Sequence, residues 1–369
     1  MKILAIAMSR IPAPNANGIQ VMKVCSALTA LGHEVTLLVP DMQPQRPSRE
    51  DLARHYGLTH TFEVRWITTR SRRLFPFRAV HEGHKFSPDL LYTWSPQASV
   101  LGLANRLPVI FEAHEPPLGR FGPWWYRAFL RLPGKKRLAG ITQSLLDILE
   151  ADYGLPEERV RAPNGVDLDL FDSLPSPPRA RRALGIADTP TVLCSGHLYE
   201  GRGVPRFLSL AEALPQVQFL WVGGRPQDVE EWRARASHLP NVRFLGFVPN
   251  SILPRYLAAA EILLAPYDRR IAGSSGGDSG KVASPMKIFD YLAAGRAILA
   301  SDLPIIREIL DEDNAVLCPP EEERCWVRAV QSLLNDDSLR ERLAARARRK
   351  ASNYTWTARE ETILKGFLA

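Results

Sequence analysis

Residues Lys2–Met8 read KILAIAM, residues Val35–Val39 read VTLLV, and what lies between them decides the fold. The first run is short and apolar, and a loop rich in Pro, Asn and Gly follows it from Ser9 to Gly18. Val21, Val24, Leu28 and Leu31 then recur at helical spacing, and Gly32 stands where a helix would end. A strand, a helix and a second buried strand within forty residues form a βαβ unit. Parallel neighbouring strands need such a crossover, so the predicted fold class is α/β with parallel sheets.

Outward from this start the rhythm continues, with strand-like runs at Val64–Thr68, Leu90–Thr93, Val109–Glu112, Gly140–Thr142 and Val160–Ala162. From Ser173 to Pro190 the chain reads SLPSPPRARRALGIADTP, with four prolines and no strand pattern. That stretch is read as a linker reaching at most into a short helix at Arg179–Leu184. The pattern restarts with Thr191–Ser195, Gln218–Val222, Val242–Leu245, Ile262–Ala265, Ala297–Ala300 and Ala315–Cys318. Two Rossmann-like domains follow, over 1–172 and 191–352, joined by the linker 173–190. Ligands of open parallel sheets bind beyond the carboxyl ends of the strands, so the expected site is the cleft between the two domains.

Composition narrows the class. The 369 residues are 45% hydrophobic and 24% charged, which excludes wholesale disorder and fibrous folds. Four cysteines without CxxC spacing exclude a disulfide scaffold or a zinc ribbon and fit a reducing compartment. His81 and His84 lack companions for a metal site and read as loop residues, so no metal is expected. The formal charge is +7, and only nine of the 47 basic residues are Lys. Nucleic acid, an anionic membrane and phosphorylated small molecules are all compatible with that charge. No run approaches the roughly 18–20 apolar residues of a membrane span, and MKILAIAM lacks the features of a signal peptide. The expected location is cytoplasmic, at most peripheral on the inner face of the membrane.

Three motifs carry chemistry. Ser195–Val204 (SGHLYEGRGV) takes a strand through a Gly-rich turn, with His197 and Arg202, into a helix. Two readings stand at equal weight: a tight turn with a surface Arg, and a phosphate site at a helix N-terminus. The absence of an acid near position 223 disfavours NAD. Gly273–Lys281 (GSSGGDSGK) departs from a P-loop and reads equally as a linker or as a loop that orders over a ligand. Ser284–Gly295 (SPMKIFDYLAAG) reads as a helix with Pro285 in its first turn and an apolar stripe of Ile288, Tyr291 and Leu292. Lys287 falls where the dipole disfavours a cation, which makes sense if an anion sits there too. Asp290 lies three residues on; the plain alternative is a solvated charge pair.

Taken in order, these segments, with Phe111-Glu112-Ala113-His114, Pro163–Asp167 (PNGVD), Phe247-Val248-Pro249 and Tyr354–Glu361 (YTWTAREE), resemble retaining glycosyltransferases of family 4 with the GT-B fold. The resemblance spans nearly the whole chain. It implies that Gly196, His197, Arg202, Ser284, Pro285, Met286 and Lys287 bind the diphosphate of a nucleotide-sugar donor. It further implies that Asp290 binds the ribose, that Phe247 and Val248 line the base pocket, and that Gly18 belongs to an acceptor or hinge loop. His114, with Arg202 and Lys287, falls at the reaction centre. Val282 stands where relatives carry the first acid of a Glu-x7-Glu pair, which removes the usual contact to the donor sugar. The implied reaction needs no cofactor or metal, and the segment 353–369 should pack as a helix on the N-terminal domain. A GT-B sugar-nucleotide 2-epimerase and a basic nucleic-acid-binding protein are the rival readings, and no nucleic acid is expected.

Two clusters interleave cations with aromatics, Arg70–Arg78 (RSRRLFPFR) and Arg120–Arg137 (RFGPWWYRAFLRLPGKKR). One reading makes them a surface for an anionic membrane, where a glycan or lipid-linked acceptor would be met. The other makes the aromatics core and the cations a solvated face.

Overall fold

The computed structural model of the chain describes residues 1–13, 15–42, 46–272 and 278–367. The chain forms two compact units. The first comprises Met1–Asn164, Val282–Ser284 and Trp356–Ala369; the second comprises Gly165–Lys281 and Pro285–Thr355.

The first unit holds seven strands: β1 (Lys2–Ile6), β2 (Glu34–Pro40), β3 (Glu63–Ile67), β4 (Leu90–Thr93), β5 (Val109–Ala113), β6 (Lys136–Gly140) and β7 (Arg159–Arg161). They lie in the order β3-β2-β1-β4-β5-β6-β7, and every pairing is parallel. Helices cover the sheet, so its central strands are apolar along their length. Leu4, Ile6, Leu91, Val109 and Phe111 join Phe75 and Phe129 from flanking helices in one buried cluster. Glu112 interrupts that apolar run at a position only 1% exposed.

The second unit holds β8 (Thr191–Ser195), β9 (Gln218–Val222), β10 (Val242–Gly246), β11 (Ile262–Ala265), β12 (Ala297–Ser301) and β13 (Val316–Cys318). Their order is β10-β9-β8-β11-β12-β13, again all parallel. The strand order reverses between β8 and β11, the place where such sheets open a binding crevice. Beneath it, Phe207 meets Phe219 and Trp221 edge to face at 5.5 and 5.2 Å. Removing Trp221 from that packing would cost about 3–5 kcal/mol.

Four local expectations change. Gly18 lies in the first turn of the Ala16–Ala30 helix rather than in a loop, because Asn15 caps the helix by accepting from Gly18 N at 2.8 Å. The stretch read as a linker is built into the second unit. Its prolines open a helix at Pro177–Ala183, and Arg181, 4% exposed, bridges Asp188 and Glu261 at 2.8 Å each. Val282–Ser284 belongs to the first unit although strands of the second flank it in sequence. Finally, Cys318 and Cys325 are joined in a disulfide, with Cα atoms 5.9 Å apart, where the sequence reading expected thiols. Cys25 and Cys194 are buried and free. Of the GSSGGDSGK stretch, residues 273–277 lie outside the described residues.

The helix Trp356–Leu364 belongs to the first unit and packs along Ala16–Ala30. Arg137 closes its far end, donating to Ile363 O at 2.6 Å and Lys365 O at 2.9 Å. Among the described residues no helix is long and apolar enough to cross a membrane.

Candidate active site

In the second unit, β8 ends at Ser195 and delivers Gly196, His197 and Arg202 in the turn that follows. Tyr291 anchors the end of that strand. Its hydroxyl accepts from Ser195 N at 2.8 Å and donates to Leu264 O at 3.2 Å. Trp221 Nε1 donates to Gly196 O at 2.9 Å, fixing the next residue. The sequence marks Tyr291 only as part of an apolar stripe; its hydroxyl, which ties helix to strand, is not a property of spacing.

The glycines of the turn answer the question left open above. A Cβ on Gly203 would lie 1.7 Å from Pro266 O, and one on Gly201 would lie 2.0 Å from Arg270 O. Both also hold positive φ, 84° and 78°. Their first duty is therefore close packing of the turn against the segment after β11, which leaves the cations to do any ligand work.

Among the described residues those cations are placed without counterions. Lys287, in the first turn of the helix Met286–Ala294, is only 8% exposed. Its Nζ lies 3.4 Å from Cys194 Sγ, 4.7 Å from the centre of the Tyr267 ring and 5.6 Å from that of Trp221. The Arg202 guanidinium lies 5.5 Å from the same Tyr267 ring, and its buried Nε has no hydrogen-bond partner. Among the described residues neither cation forms an ion pair. The solvated pair offered as the plain reading of Lys287 and Asp290 does not describe a lysine this dry. Holding an ion out of water costs several kcal/mol, and ring faces return only about 0.5–2 kcal/mol of it each. The arrangement is chemically suited to an anion.

The remaining candidates of this unit surround that pair in sequence. Pro285 is buried, and Met286 and Asp290 are half-buried on the same helix. His197 stacks on Tyr199 with ring centres 4.8 Å apart. After β10, Phe247 is 43% exposed and Val248 is half-buried.

Ser284 and Val282 are committed within the first unit. Ser284 Oγ accepts from Asn164 N at 3.1 Å, and Ser284 O accepts from Asn164 Nδ2 at 2.6 Å. Val282 is 5% exposed and joins the apolar cluster containing Ala113, Ile141 and Leu145.

His114 follows β5 directly, and sequence reasoning missed the group behind it. Glu112 Oε1 accepts from His114 Nε2 at 2.8 Å, from Gln20 Nε2 at 2.5 Å and from Arg359 Nη2 at 2.6 Å. Glu112 Oε2 accepts from the Tyr92 hydroxyl. Burial alone would raise this carboxyl, but Arg359 and His114 overcome it and hold it down at about 2. Glu360, also paired with Arg359, goes the other way: burial pushes it up to about 7 despite the arginine. No group of three or more His, Cys, Asp or Glu among the described residues is arranged to hold a metal ion.

The two basic–aromatic clusters meet on the first unit, where Phe77 and Trp125 rings lie 6.1 Å apart. Leu74, Phe77, Leu118, Phe121 and Trp124 are exposed, at 45–65%. Tyr126 and Phe129 are core, as the plainer reading expected of such aromatics. Lys136 is spent internally too, donating to Phe129 O at 3.0 Å and Leu130 O at 2.7 Å.

Comparison with known proteins agrees with this architecture. The family described as Glycosyltransferase Family 4 matches residues 18–170, and Glycosyl transferases group 1 matches residues 189–336. A phosphatidyl-myo-inositol mannosyltransferase of Mycolicibacterium smegmatis is 26% identical over 370 residues, covering 94% of this chain and 88% of the relative. The Mycobacterium leprae protein of that name is 31% identical over 292 residues, covering 75% and 72%. Among solved structures, Anabaena HepE in complex with UDP superposes with a TM-score of 0.74 at 20% identity, covering 99% of each chain. The relatives are transferases, which favours that reading over the epimerase and nucleic-acid rivals. With two parallel sheets in this order and both halves matched, the chain belongs to glycosyltransferase family 4 and is a glycosyltransferase of the GT-B fold.

Proposed function

We propose that the second unit binds a nucleotide-diphosphate sugar and that the enzyme passes the sugar, with retention at the anomeric carbon, to a glycan or lipid-linked acceptor. The observation that carries this reading is the pair Arg202 and Lys287, which share one tyrosine ring and, among the described residues, have no carboxylate to neutralise them. A diphosphate would supply the missing charge. As the bond from the sugar to the diphosphate breaks, negative charge grows on the leaving oxygen. Two cations and the N-terminus of the helix Met286–Ala294 stabilise it more in the transition state than before. The acceptor oxygen then forms its bond on the face the diphosphate leaves, and its proton passes to the departing phosphate oxygen. No protein nucleophile and no metal is assigned a step.

The acceptor class draws support from two sources. The mycobacterial relatives are named for a phosphatidylinositol acceptor. The first unit exposes Phe121, Trp124 and Leu118 among Arg120, Arg127 and Arg131, a composition suited to peripheral attachment at an anionic lipid surface.

Calorimetry against UDP-, GDP- and ADP-glucose, with and without EDTA, tests the donor site. Binding by the wild type in EDTA, weakened by Arg202→Ala and by Asp290→Ala, is the expected result. Wild-type affinity in both variants would overturn the site. The anomeric configuration of the product, read by NMR, tests retention. A product formed from the donor alone would revive the epimerase reading.

A further inference from the structure

The closing segment YTWTAREE, quoted above only for its resemblance, has a use that the donor site does not account for. Glu112 lies on β5 and His114 directly follows that strand, and the two side chains meet in a hydrogen bond of 2.8 Å. Glu112 is fully satisfied by four donors: Gln20 on the Ala16–Ala30 helix, Tyr92 on β4, Arg359 on the C-terminal helix, and His114 itself. Arg359 is pinned in turn. Its Nε donates to Pro163 O at 2.8 Å and its Nη2 to Ala162 O at 3.0 Å. The side chains of Glu112 and Arg359 are 0% and 3% exposed, whereas that of His114 is 26% exposed. The network is therefore dry behind the histidine and open only where the imidazole meets solvent.

We propose that Glu112 and Arg359 are positioning residues for His114: Arg359 fixes the Glu112 carboxylate, and the carboxylate fixes the proton of His114 on Nε2. The ring is thereby held in one orientation, and Nδ1, across the ring, is the nitrogen offered to substrate. A carboxylate accepting from one imidazole nitrogen selects the tautomer, because only a protonated nitrogen can donate. The C-terminal helix thus reaches the reaction through two hydrogen bonds without touching a ligand. This rests on the reading of His114 as a group at the reaction centre.

The test is made on the whole chain labelled with 15N-histidine. The ring signals of His114 are those lost in His114→Asn, and long-range 1H–15N spectra assign the protonated nitrogen. The wild type should show Nε2–H. Arg359→Met should lose the single tautomer, and Arg359→Lys should restore it in part. Gln20→Leu, which removes one donor and no charge, serves the same purpose if Arg359→Met fails to fold. Arg137→Met loosens the same helix at its other end without touching Glu112, and should leave the His114 ring unchanged. An Nδ1–H wild type, or an equal loss in Arg137→Met and Gln20→Leu, would overturn the proposal. Turnover of UDP-, GDP- and ADP-glucose separates it from the functional reading. Where the wild type turns one over, Gln20→Leu should lower kcat at least fivefold with KM unchanged. If His114→Asn turns that donor over at the wild-type rate, the role of the histidine falls while the spectra still decide the positioning.

Discussion

The two units bury charge in opposite ways. In the first, Arg359 pairs with both Glu112 and Glu360, and the carboxylate of Glu112 is satisfied from three elements and by His114. In the second, Lys287 and Arg202 share a tyrosine ring and, among the described residues, have no acid. A carboxylate saturated with donors holds a shape, whereas a pair of like charges without an acid among the described residues is poised for a ligand. The contrast separates a framework from a binding site without any ligand in view.

The largest effect expected from breaking this contrast is on the framework side. Arg359→Met takes away the arginine that both buried carboxyls, Glu112 and Glu360, share, which should destabilise the protein by about 3–5 kcal/mol in urea unfolding. Lys287→Met should do the reverse. Removing an uncompensated buried charge should leave the melting temperature unchanged or raised, while affinity for the sugar nucleotide falls by roughly 10–150-fold, the worth of one hydrogen bond to a charged group. If Lys287→Met unfolds the protein, the lysine is framework and the distinction collapses.

A third, smaller effect concerns pH. Glu360 has its folded pKa raised to about 7, so the stability it contributes is present below the unfolded value near 4.5 and is lost as pH rises through about 7. Glu112 has the opposite sign: its contribution is present above the unfolded value and is lost as pH falls through about 2. Glu360→Gln should therefore flatten the fall in melting temperature between about pH 5 and about pH 8. An unchanged slope would show that Glu360 is ionised throughout. Smallest is the surface: Trp124→Ser should alter folding stability by no more than about 0.5 kcal/mol, yet reduce flotation with anionic liposomes at low salt. Equal flotation of the variant would remove the aromatic surface from the membrane reading.

Much of the fold was legible because parallel strands buried on both faces leave unbroken apolar runs. The run TVLCS, read from sequence at Thr191–Ser195, is β8 with those bounds, and Lys287 was visible as a cation in the wrong place on a helix. What stayed hidden depends on partners far apart in sequence. Nothing local announces that Arg359 meets Glu112, that Val282 joins the apolar core of the first unit, or that the hydroxyl of Tyr291 ties a helix to β8. For the first of these the available signal was a carboxylate, Glu112, inside an otherwise apolar strand, which needs a buried partner. The prolines of Ser173–Pro190 misled because proline opens a helix as readily as it ends one.

The ion pair that completes the first unit joins residues 247 positions apart. During synthesis, Glu112 leaves the ribosome long before Arg359, and at about 5–20 residues per second the interval is roughly 12–50 s. Through that time the nascent unit must carry an acid in its centre with its arginine not yet made. The N-terminal sheet therefore reaches its final electrostatic state only when the last helix arrives, and a ribosome stalled short of it releases a unit that is complete in strands but not in charge.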